Sequence, residues 1–369
     1  MRNPCRDVNY IATRRVLFLG GENASIGGRL IMKLPVASSL LRSRRLTPST
    51  GAVARAGAAR PVVGRVAAAV VLVLTSAGLA ATPAEAQGTA DWPSYLFNTG
   101  HSSYNSAATS IGTGNVANLQ PVWQWFQPTP VDPQFQASPT VVDGVVYIGS
   151  ENGNFYAISE ATRKVLWSQF FGVTPDAGCG SLGVSSTAAV ANDPSTGLTV
   201  YVNAPNGQLY ALAAATGAIL WQSTVDTPSS TEDDYYAWSS PLVVNGHVYL
   251  GISSGCDVPL VPGTGVLEFN QDTGALQASW HSLPSGKLGA SVWSSLVEST
   301  LGDGSVFATT GNAESSVQPP NAESIVRLSG TSLSLLDSWQ VPASQQIFDS
   351  DFGGSPTVFT ADLDGTTTP

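Results

Sequence analysis

A unit of about fifty-five residues recurs along this chain, and that recurrence constrains the fold more than any single motif. The most regular copy spans residues 137–167. Residues 137–142 alternate small and apolar side chains and stop at Asp143-Gly144, a two-residue hairpin signal. Residues 145–150 are rich in β-branched and aromatic side chains, which suit a strand. Glu151-Asn152-Gly153-Asn154 turns the chain, because Asn and Gly tolerate positive φ. Residues 155–159 form a third expected strand, residues 160–163 turn again, and residues 164–167 close on Trp167. A lone sheet of this size has two faces to cover and two open edges, so it needs neighbours.

The chain supplies them. The first-strand signal Ala137-Ser138-Pro139 returns as Ser185-Ser186-Thr187, Ser239-Ser240-Pro241, Ser294-Ser295-Leu296 and Gly354-Ser355-Pro356. The second strand, Val145-Val146-Tyr147-Ile148-Gly149, returns as Thr199-Val200-Tyr201-Val202, His247-Val248-Tyr249-Leu250-Gly251 and Ser305-Val306-Phe307-Ala308. The turn before the last strand carries Thr162, Thr216, Thr273 and Thr331, spaced 54, 57 and 58 residues apart. Gly217 and Gly274 follow two of these, where positive φ is expected, and Arg163 and Ser332 depart from the rule. The units close on Trp167, Trp221, Trp280 and Trp339. A period of this length with four strands per unit is the signature of a β-propeller. No segment holds a 3.6-residue apolar period, which excludes helical solenoids. A series of immunoglobulin-like sandwiches would repeat nearer about 100 residues. With charged residues at only 11%, and 37 Gly and 24 Pro, the composition suits short strands and turns rather than helices.

At these residues the chain resembles the pyrroloquinoline-quinone (PQQ)-like repeat family. The resemblance is carried by Asn152-Gly153-Asn154-Phe155-Tyr156-Ala157 and Asn206-Gly207-Gln208-Leu209-Tyr210-Ala211-Leu212. It implies an all-β propeller of four-stranded blades, seven or eight in full. Four units are near complete here, a fifth begins at 355–359, and residues 119–126 read as the outer strand of an earlier or ring-closing blade. On that comparison the chain is a truncated propeller, and an open ring of this kind is expected to be poorly soluble. The resemblance also implies that each terminal Trp docks one blade on the next.

Residues 1–86 read as a leader and 87–369 as the incomplete propeller. The leader holds 12 of the 16 Lys and Arg and only Asp7, Glu22 and Glu85 as acids; the remainder has 4 basic and 23 acidic side chains, a formal charge of −19. Residues 66–81 are uncharged and apolar after Arg55, Arg60 and Arg65, and Ala84-Glu85-Ala86 precedes Gln87 as a small-residue cleavage site. This pattern is a secretory signal peptide cleaved near 86/87. The apolar run is short for a span, which needs about 20 residues, so no membrane span is expected in the mature chain. The long leader leaves Met32 as an alternative start, and Thr13-Arg14-Arg15 hints at a twin-arginine signal. The expected location is periplasmic or extracellular. The acidic balance argues against nucleic acid as a partner. Cys179 and Cys256 remain after the leader, enough for one disulfide in an oxidising compartment or two buried thiols. They fall in loops of successive blades, which favours pairing. There is no Cys-x-x-Cys-His for covalent haem.

Three stretches depart from the bare repeat, and departures from a scaffold pattern are where function is expected. The lead-in Asp91-Trp92-Pro93-Ser94-Tyr95, with Asn98, Gly100, His101, Ser102 and Asn105, resembles the N-terminal segment of secreted quinoprotein and polyvinyl-alcohol dehydrogenases. His101 there reads as a hydrogen-bonded structural residue rather than a base. The loop Gly251-Ile252-Ser253-Ser254-Gly255-Cys256-Asp257 projects from a strand, where it lines the mouth of a funnel. The third stretch combines Val292-Trp293-Ser294-Ser295, Thr309-Thr310-Gly311-Asn312 and Asp349-Ser350-Asp351-Phe352. By resemblance to quinoprotein dehydrogenases, Asn312 is a Ca²⁺ ligand, Asp351 the catalytic base, and Asp349 an alternate base or ligand. Trp293 or Trp238 stacks on the flat cofactor. These residue types suit the chemistry, since Ca²⁺ takes oxygen ligands, polarises a quinone carbonyl, and a carboxylate removes the alcohol proton. The Glu ligand expected from an earlier blade has no match. The expected function is an exported quinoprotein-dehydrogenase-like enzyme that uses PQQ and Ca²⁺. It would oxidise an alcohol or polymer hydroxyl and pass electrons to an external acceptor. Its rivals are a non-catalytic propeller that binds protein or polysaccharide, and an inactive fragment.

Overall fold

The computed structural model describes residues 16–19, 91–108, 110–127, 134–174, 182–226, 235–254, 263–346, 351–363 and 366–368. The expected leader lies outside these residues apart from β1 (Val16–Leu19), which pairs antiparallel with β2 (Pro121–Trp125). Among the described residues no helix is long and apolar enough to cross a membrane.

Four antiparallel four-stranded sheets then follow in chain order, each a meander of successive strands. Blade one is β3 (Thr140–Val142), β4 (Val145–Gly149), β5 (Asn154–Ser159) and β6 (Val165–Phe170). Blade two is β7 (Ala189–Asp193), β8 (Gly197–Ala204), β9 (Gln208–Ala213) and β10 (Ile219–Thr224). Blade three is β11 (Leu242–Val244), β12 (His247–Ile252), β13 (Gly265–Asn270) and β14 (Leu276–His281). Blade four is β15 (Val297–Glu298), β16 (Val306–Thr309), β17 (Ser324–Leu328) and β18 (Leu335–Gln340). A short hairpin, β19 (Ala361–Leu363) with β20 (Thr366–Thr368), ends the chain. The fifth unit expected at 355–359 forms no strand. This is the propeller that the repeat predicts.

The middle strands of the first three blades are buried on both faces, as blades stacked face to face require. Trp123 and Trp125 of β2 pack on the face of blade one with Val146, Ile148, Tyr156 and Ile158; within residues 119–126 the strand is Pro121–Trp125, and among the described residues it pairs with β1 rather than with a four-stranded blade. Similar apolar clusters fill the interfaces between blades one and two, two and three, and three and four.

The docking tryptophans work as expected in the first two of these interfaces. The indole of Trp167 donates to Ala214 O at 2.8 Å and lies so close to Gly217 that a Cβ there would meet it at 2.6 Å. Trp221 repeats this, donating to Gln271 O at 3.0 Å and covering Gly274, where a Cβ would approach to 2.5 Å. The third interface departs from the pattern. Trp167 pairs across its sheet with Ala157 and Trp221 with Ala211, but the matching place in blade three is Ala278, opposite Glu268; in blade four it is Asp337. Trp280 and Trp339 therefore sit two residues beyond the docking position.

The facing turn is displaced too. Arg163, Gly217 and Gly274 each donate to the carbonyl four residues earlier, and in blade four the residue doing so is Leu333, not Ser332. Leu333 has φ 51° and Arg163 φ 60°, so both take the glycine conformation. The third interface thus exchanges a large residue on a small one for the reverse: Ala278 in place of Trp, Leu333 in place of Gly. Leu333 is fully buried in that cluster, beside Ala278 and Trp280. The turn carbonyl is still satisfied, because Tyr249 Oη donates to Gly330 O, the counterpart of Ala214 and Gln271.

At the inner edge, hydroxyls link the blades in series. Ser138 N–H donates to Thr187 Oγ1 at 3.0 Å, Thr187 N–H to Ser240 Oγ at 3.0 Å, Ser240 N–H to Ser295 Oγ at 3.0 Å, and Ser295 N–H to Ser355 Oγ at 2.8 Å. This explains the Ser/Thr of the repeat. It also explains why the first strand, expected from 137, is regular only from Thr140: the amide of Ser138 is used between blades.

The lead-in segment crosses several blades. Trp92 bridges Val141, Pro93 O accepts from Val190 N–H at 2.8 Å, Thr99 O from Glu298 N–H at 2.9 Å, and Gly100 O from Val358 N–H at 3.1 Å. A cavity of about 270 Å³ lies beneath it, lined by Pro93, Tyr95, His101, Val190, Pro241 and Leu242 among others. His101 is buried with φ 56°, and its Nδ1 donates to Pro356 O at 2.9 Å. It is a structural residue of this strap, and burial lowers its pKa below the usual histidine value.

Two outcomes follow from these contacts. Leu333→Gly is expected to cost about 2–5 kcal/mol and Ala278→Trp about 1–3 kcal/mol. Restoring Trp-on-Gly with both together should cost less than the sum by at least about 0.5 kcal/mol in denaturant unfolding. Because the folded state holds His101 neutral, stability should fall as pH drops below its ordinary value of 6.5, where the unfolded chain takes up the proton. His101→Gln should flatten the slope of the unfolding midpoint between about pH 5 and 7.

Candidate active site

Blade four is the least regular blade, and its second strand ends in Thr309-Thr310-Gly311-Asn312. Here the chain brings together residues 39 apart: Asn312 N–H donates to Asp351 Oδ1 at 2.6 Å. The contact needs Gly311, since a Cβ at that position would lie 2.1 Å from the same oxygen. Three backbone bonds hold the loop, from Gly311 N–H to Ser291 O at 2.9 Å, Ala290 N–H to Asn312 O at 2.5 Å, and Glu323 N–H to Gly311 O at 2.7 Å. Asn312 is buried, and Asp351 is exposed.

The two tryptophans meet beside this loop. Trp238 and Trp293 are half-buried and packed edge to face, with ring centroids 5.8 Å apart, and Tyr236 extends the run with its centroid 4.8 Å from Trp238. The tip of the Trp293 indole reaches Gly353, two residues past Asp351, where a Cβ would lie 3.0 Å from it. Trp238, Trp293, Asn312 and Asp351 therefore form one contiguous region. Asp349, Cys179 and Cys256 lie outside the described residues.

Glu323 is a further polar group of this region and was not among the expected site residues. It is completely buried, and neither carboxylate oxygen has a hydrogen-bond partner among the described residues. Burial pushes its pKa up, and the neighbouring charge of Asp351 adds to the rise. Its place in the repeat was readable. Val341 N–H donates to Glu323 O as Phe171 N–H donates to Gly153 O and Val225 N–H to Gly207 O. Glu323 thus stands at the glycine of the Asn-Gly turn, and it keeps positive φ, 45° against 84° and 73°.

Among the described residues no cluster holds three His, Cys, Asp or Glu side chains. The side-chain oxygens carried by this loop and the segment bonded to it are the amide of Asn312 and the carboxylates of Glu323 and Asp351. An all-oxygen set with two carboxylates fits a hard divalent cation such as Ca²⁺ and offers no soft ligand.

A family model described as the glucose/ethanol/alcohol dehydrogenase β-propeller domain (PQQ) matches residues 92–310, more than half of the chain. The dehydrogenase subunit of the alcohol dehydrogenase (quinone) of Gluconobacter oxydans is 30% identical over 168 residues, covering 44% of this chain and 21% of its own. The quinohemoprotein alcohol dehydrogenase of Comamonas testosteroni is 28% identical over 204 residues, covering 54% and 27%. The crystal structure of the Comamonas enzyme superposes with a TM-score of 0.57 at 20% identity, over 75% of this chain and 45% of its own. A europium-containing methanol dehydrogenase gives 0.60 at 18% identity, over 76% and 53%. At those identities the structural likeness speaks to the fold alone. The chain spans about a quarter of the curated relatives it matches and about half of the solved structures. The family match stops at residue 310, immediately before the Gly311–Asp351 contact.

Gly311→Ala is expected to lower the unfolding free energy by about 1–3 kcal/mol, because the new methyl displaces the Asp351 carboxylate. Gly354→Ala, three residues past Asp351 with open space around its Cβ, should change it by less than about 0.5 kcal/mol. Paired chemical-denaturation curves check both.

Proposed function

This chain belongs to the glucose/ethanol/alcohol dehydrogenase β-propeller family, and on that premise we propose that it is an exported PQQ- and Ca²⁺-dependent oxidoreductase acting on an alcohol or a polymer hydroxyl. The observation that carries the reading is the 2.6 Å contact between Asn312 and Asp351 beside the Trp238–Trp293 pair. Asn312 offers an amide oxygen to the metal. Asp351 is the base that takes the hydroxyl proton on its carboxylate, and the Asn312 N–H bonded to Oδ1 favours the ionised form it needs. Asp349 is an alternate base or ligand. Trp293 and Trp238 present aromatic surface on which a flat ring can stack. A quinone bound here supplies the hydride acceptor, and its Ca²⁺ supplies the Lewis acid.

Residues 66–81 and the Ala84-Glu85-Ala86 site direct export to the periplasm or beyond. In that oxidising compartment Cys179 and Cys256 pair. Electrons pass to an external acceptor.

Reconstitution of the protein with PQQ and Ca²⁺ tests the reading. The expected result is quinone absorbance retained after desalting, with dye-linked oxidation of ethanol. Asn312→Ala should lose quinone retention. Asp351→Ala should keep it and lower kcat by about 10²–10⁴-fold. A wild-type protein that neither retains the quinone nor oxidises any alcohol overturns the assignment.

A further inference from the structure

The cavity under the lead-in strap lies apart from the candidate site but on the same inner strands. It measures about 270 Å³. Ser240 and Leu242 line it and follow Trp238 by two and four residues, and four residues of extended chain rise about 13 Å. Pro93, Phe97, Val190, Pro241 and Leu242 give it apolar walls. Three of its polar side chains are already bonded to protein. Asn98 Oδ1 accepts from Gly100 and Ser102 N–H at 3.2 and 3.0 Å, Thr99 Oγ1 donates to Glu298 Oε2 at 2.9 Å, and Ser240 Oγ accepts from Thr187 N–H at 3.0 Å.

His101 differs from these. Its side chain is 4% exposed, and its Nδ1–H donates to Pro356 O at 2.9 Å. A carbonyl only accepts, so Nδ1 carries the proton of the neutral ring and Nε2 keeps a lone pair. Nε2 has no hydrogen bond among the described residues. The Tyr95 ring, edge-on at 5.4 Å, holds the plane of the imidazole. A buried acceptor without a donor is unfavourable. An apolar cavity of roughly 150 Å³ stays dry and takes benzene. This one has room for a ring with a substituent, and at His101 it offers that substituent an acceptor.

We propose that the cavity binds a small neutral aromatic alcohol, its ring against Pro93, Val190 and Leu242 and its hydroxyl donating to His101 Nε2. The occupant acts on the segment that carries Asp351. Pro356, five residues past Asp351, accepts from His101; Thr357 Oγ1 donates to His101 O at 3.4 Å; Val358 N–H donates to Gly100 O at 3.1 Å. Ser355 Oγ in turn accepts from Ser295 N–H at 2.8 Å. Filling the cavity stiffens strap and segment together, which couples it to the candidate site. That coupling rests on the role given above to Asp351, whereas the binding itself does not.

The test needs neither quinone nor metal, so its failure and that of the functional reading are distinguishable. para-Cresol and toluene, alike but for the hydroxyl, are titrated into the full chain and followed by saturation-transfer NMR and thermal melting. Cresol should raise the melting midpoint and bind about 3–10-fold more tightly than toluene. His101→Phe should remove that preference while toluene still binds. Ala189→Leu, which fills the cavity from β7, should abolish the response to both. Amide hydrogen exchange reads the coupling: cresol should slow the N–H of Ser295 and Val358 and leave that of Phe171 in blade one unchanged. Equal affinity of the wild type for cresol and toluene overturns the contact with His101, a result that needs no variant to fold. Binding of neither compound, or cresol binding that survives Ala189→Leu, overturns the site. Protection that stops at the strap overturns the coupling.

Discussion

A four-stranded sheet in this protein is buried only because the next one lies against it, so the match of volumes across each blade interface governs the rest of the structure. At the first two interfaces an indole rests on a turn that has no Cβ to obstruct it, and its N–H satisfies the carbonyl beside that turn. Burying one such aromatic contributes about 3 kcal/mol, comparable with the cost of leaving a buried carbonyl unpaired. The third interface reaches the same end by other means: Leu333 fills the space from one side, and the Tyr249 hydroxyl takes the carbonyl from the other. The constraint is therefore on summed volume and on one acceptor, not on tryptophan as such.

This separates what the sequence discloses from what it conceals. The propeller was legible because strand period, turn chemistry and spacing all agreed in blades one and two. The Ser/Thr of the first-strand signal was visible as a pattern, but its reason lay in hydrogen bonds between blades, from Ser138 through to Ser355. Trp280 and Trp339 preserved the appearance of the repeat while sitting two residues past the docking place. Thr331 likewise fell one residue short of the turn position. Counting residue types could not detect these slips, because strand register is set by pairing partners. That Asn312 and Asp351 belong to one site was expected from resemblance, though not the backbone bond between them. Glu323 was not, because its importance comes from burial without a partner, which no linear pattern records; the equivalent residues are Gly153, Gly207 and Thr264, so glycine is already lost there in blade three.

The candidate site occupies the blade whose pattern is kept least well, and the physical reason lies in its glycines. Elsewhere glycine marks a turn or a docking surface. At Gly311 it admits a carboxylate from the following segment into contact with the backbone. At residue 323 glycine is absent, and a charged side chain enters the interior instead. One loop thus carries an acidic group at Glu323 and meets another at Asp351, on a frame held by Gly311, Ala290 and Glu323 backbone bonds.

The inverted third interface also bears on how such a chain can be rearranged over evolutionary time. Blade two presents a bare turn to the blade before it and an indole to the blade after it, so a tandem duplicate of blade two would find a complementary neighbour on both sides. Blade three presents a bare turn in front and Ala278 behind. A second copy of it would set a small residue against a bare turn and leave a void, and a copy of blade four after blade two would drive Leu333 into Trp221. Blade order is thereby written into the shapes of the faces. Recombination can lengthen this propeller between blades one and two, whereas the boundary that carries the candidate site resists insertion and keeps blade four next to the one partner that fits it.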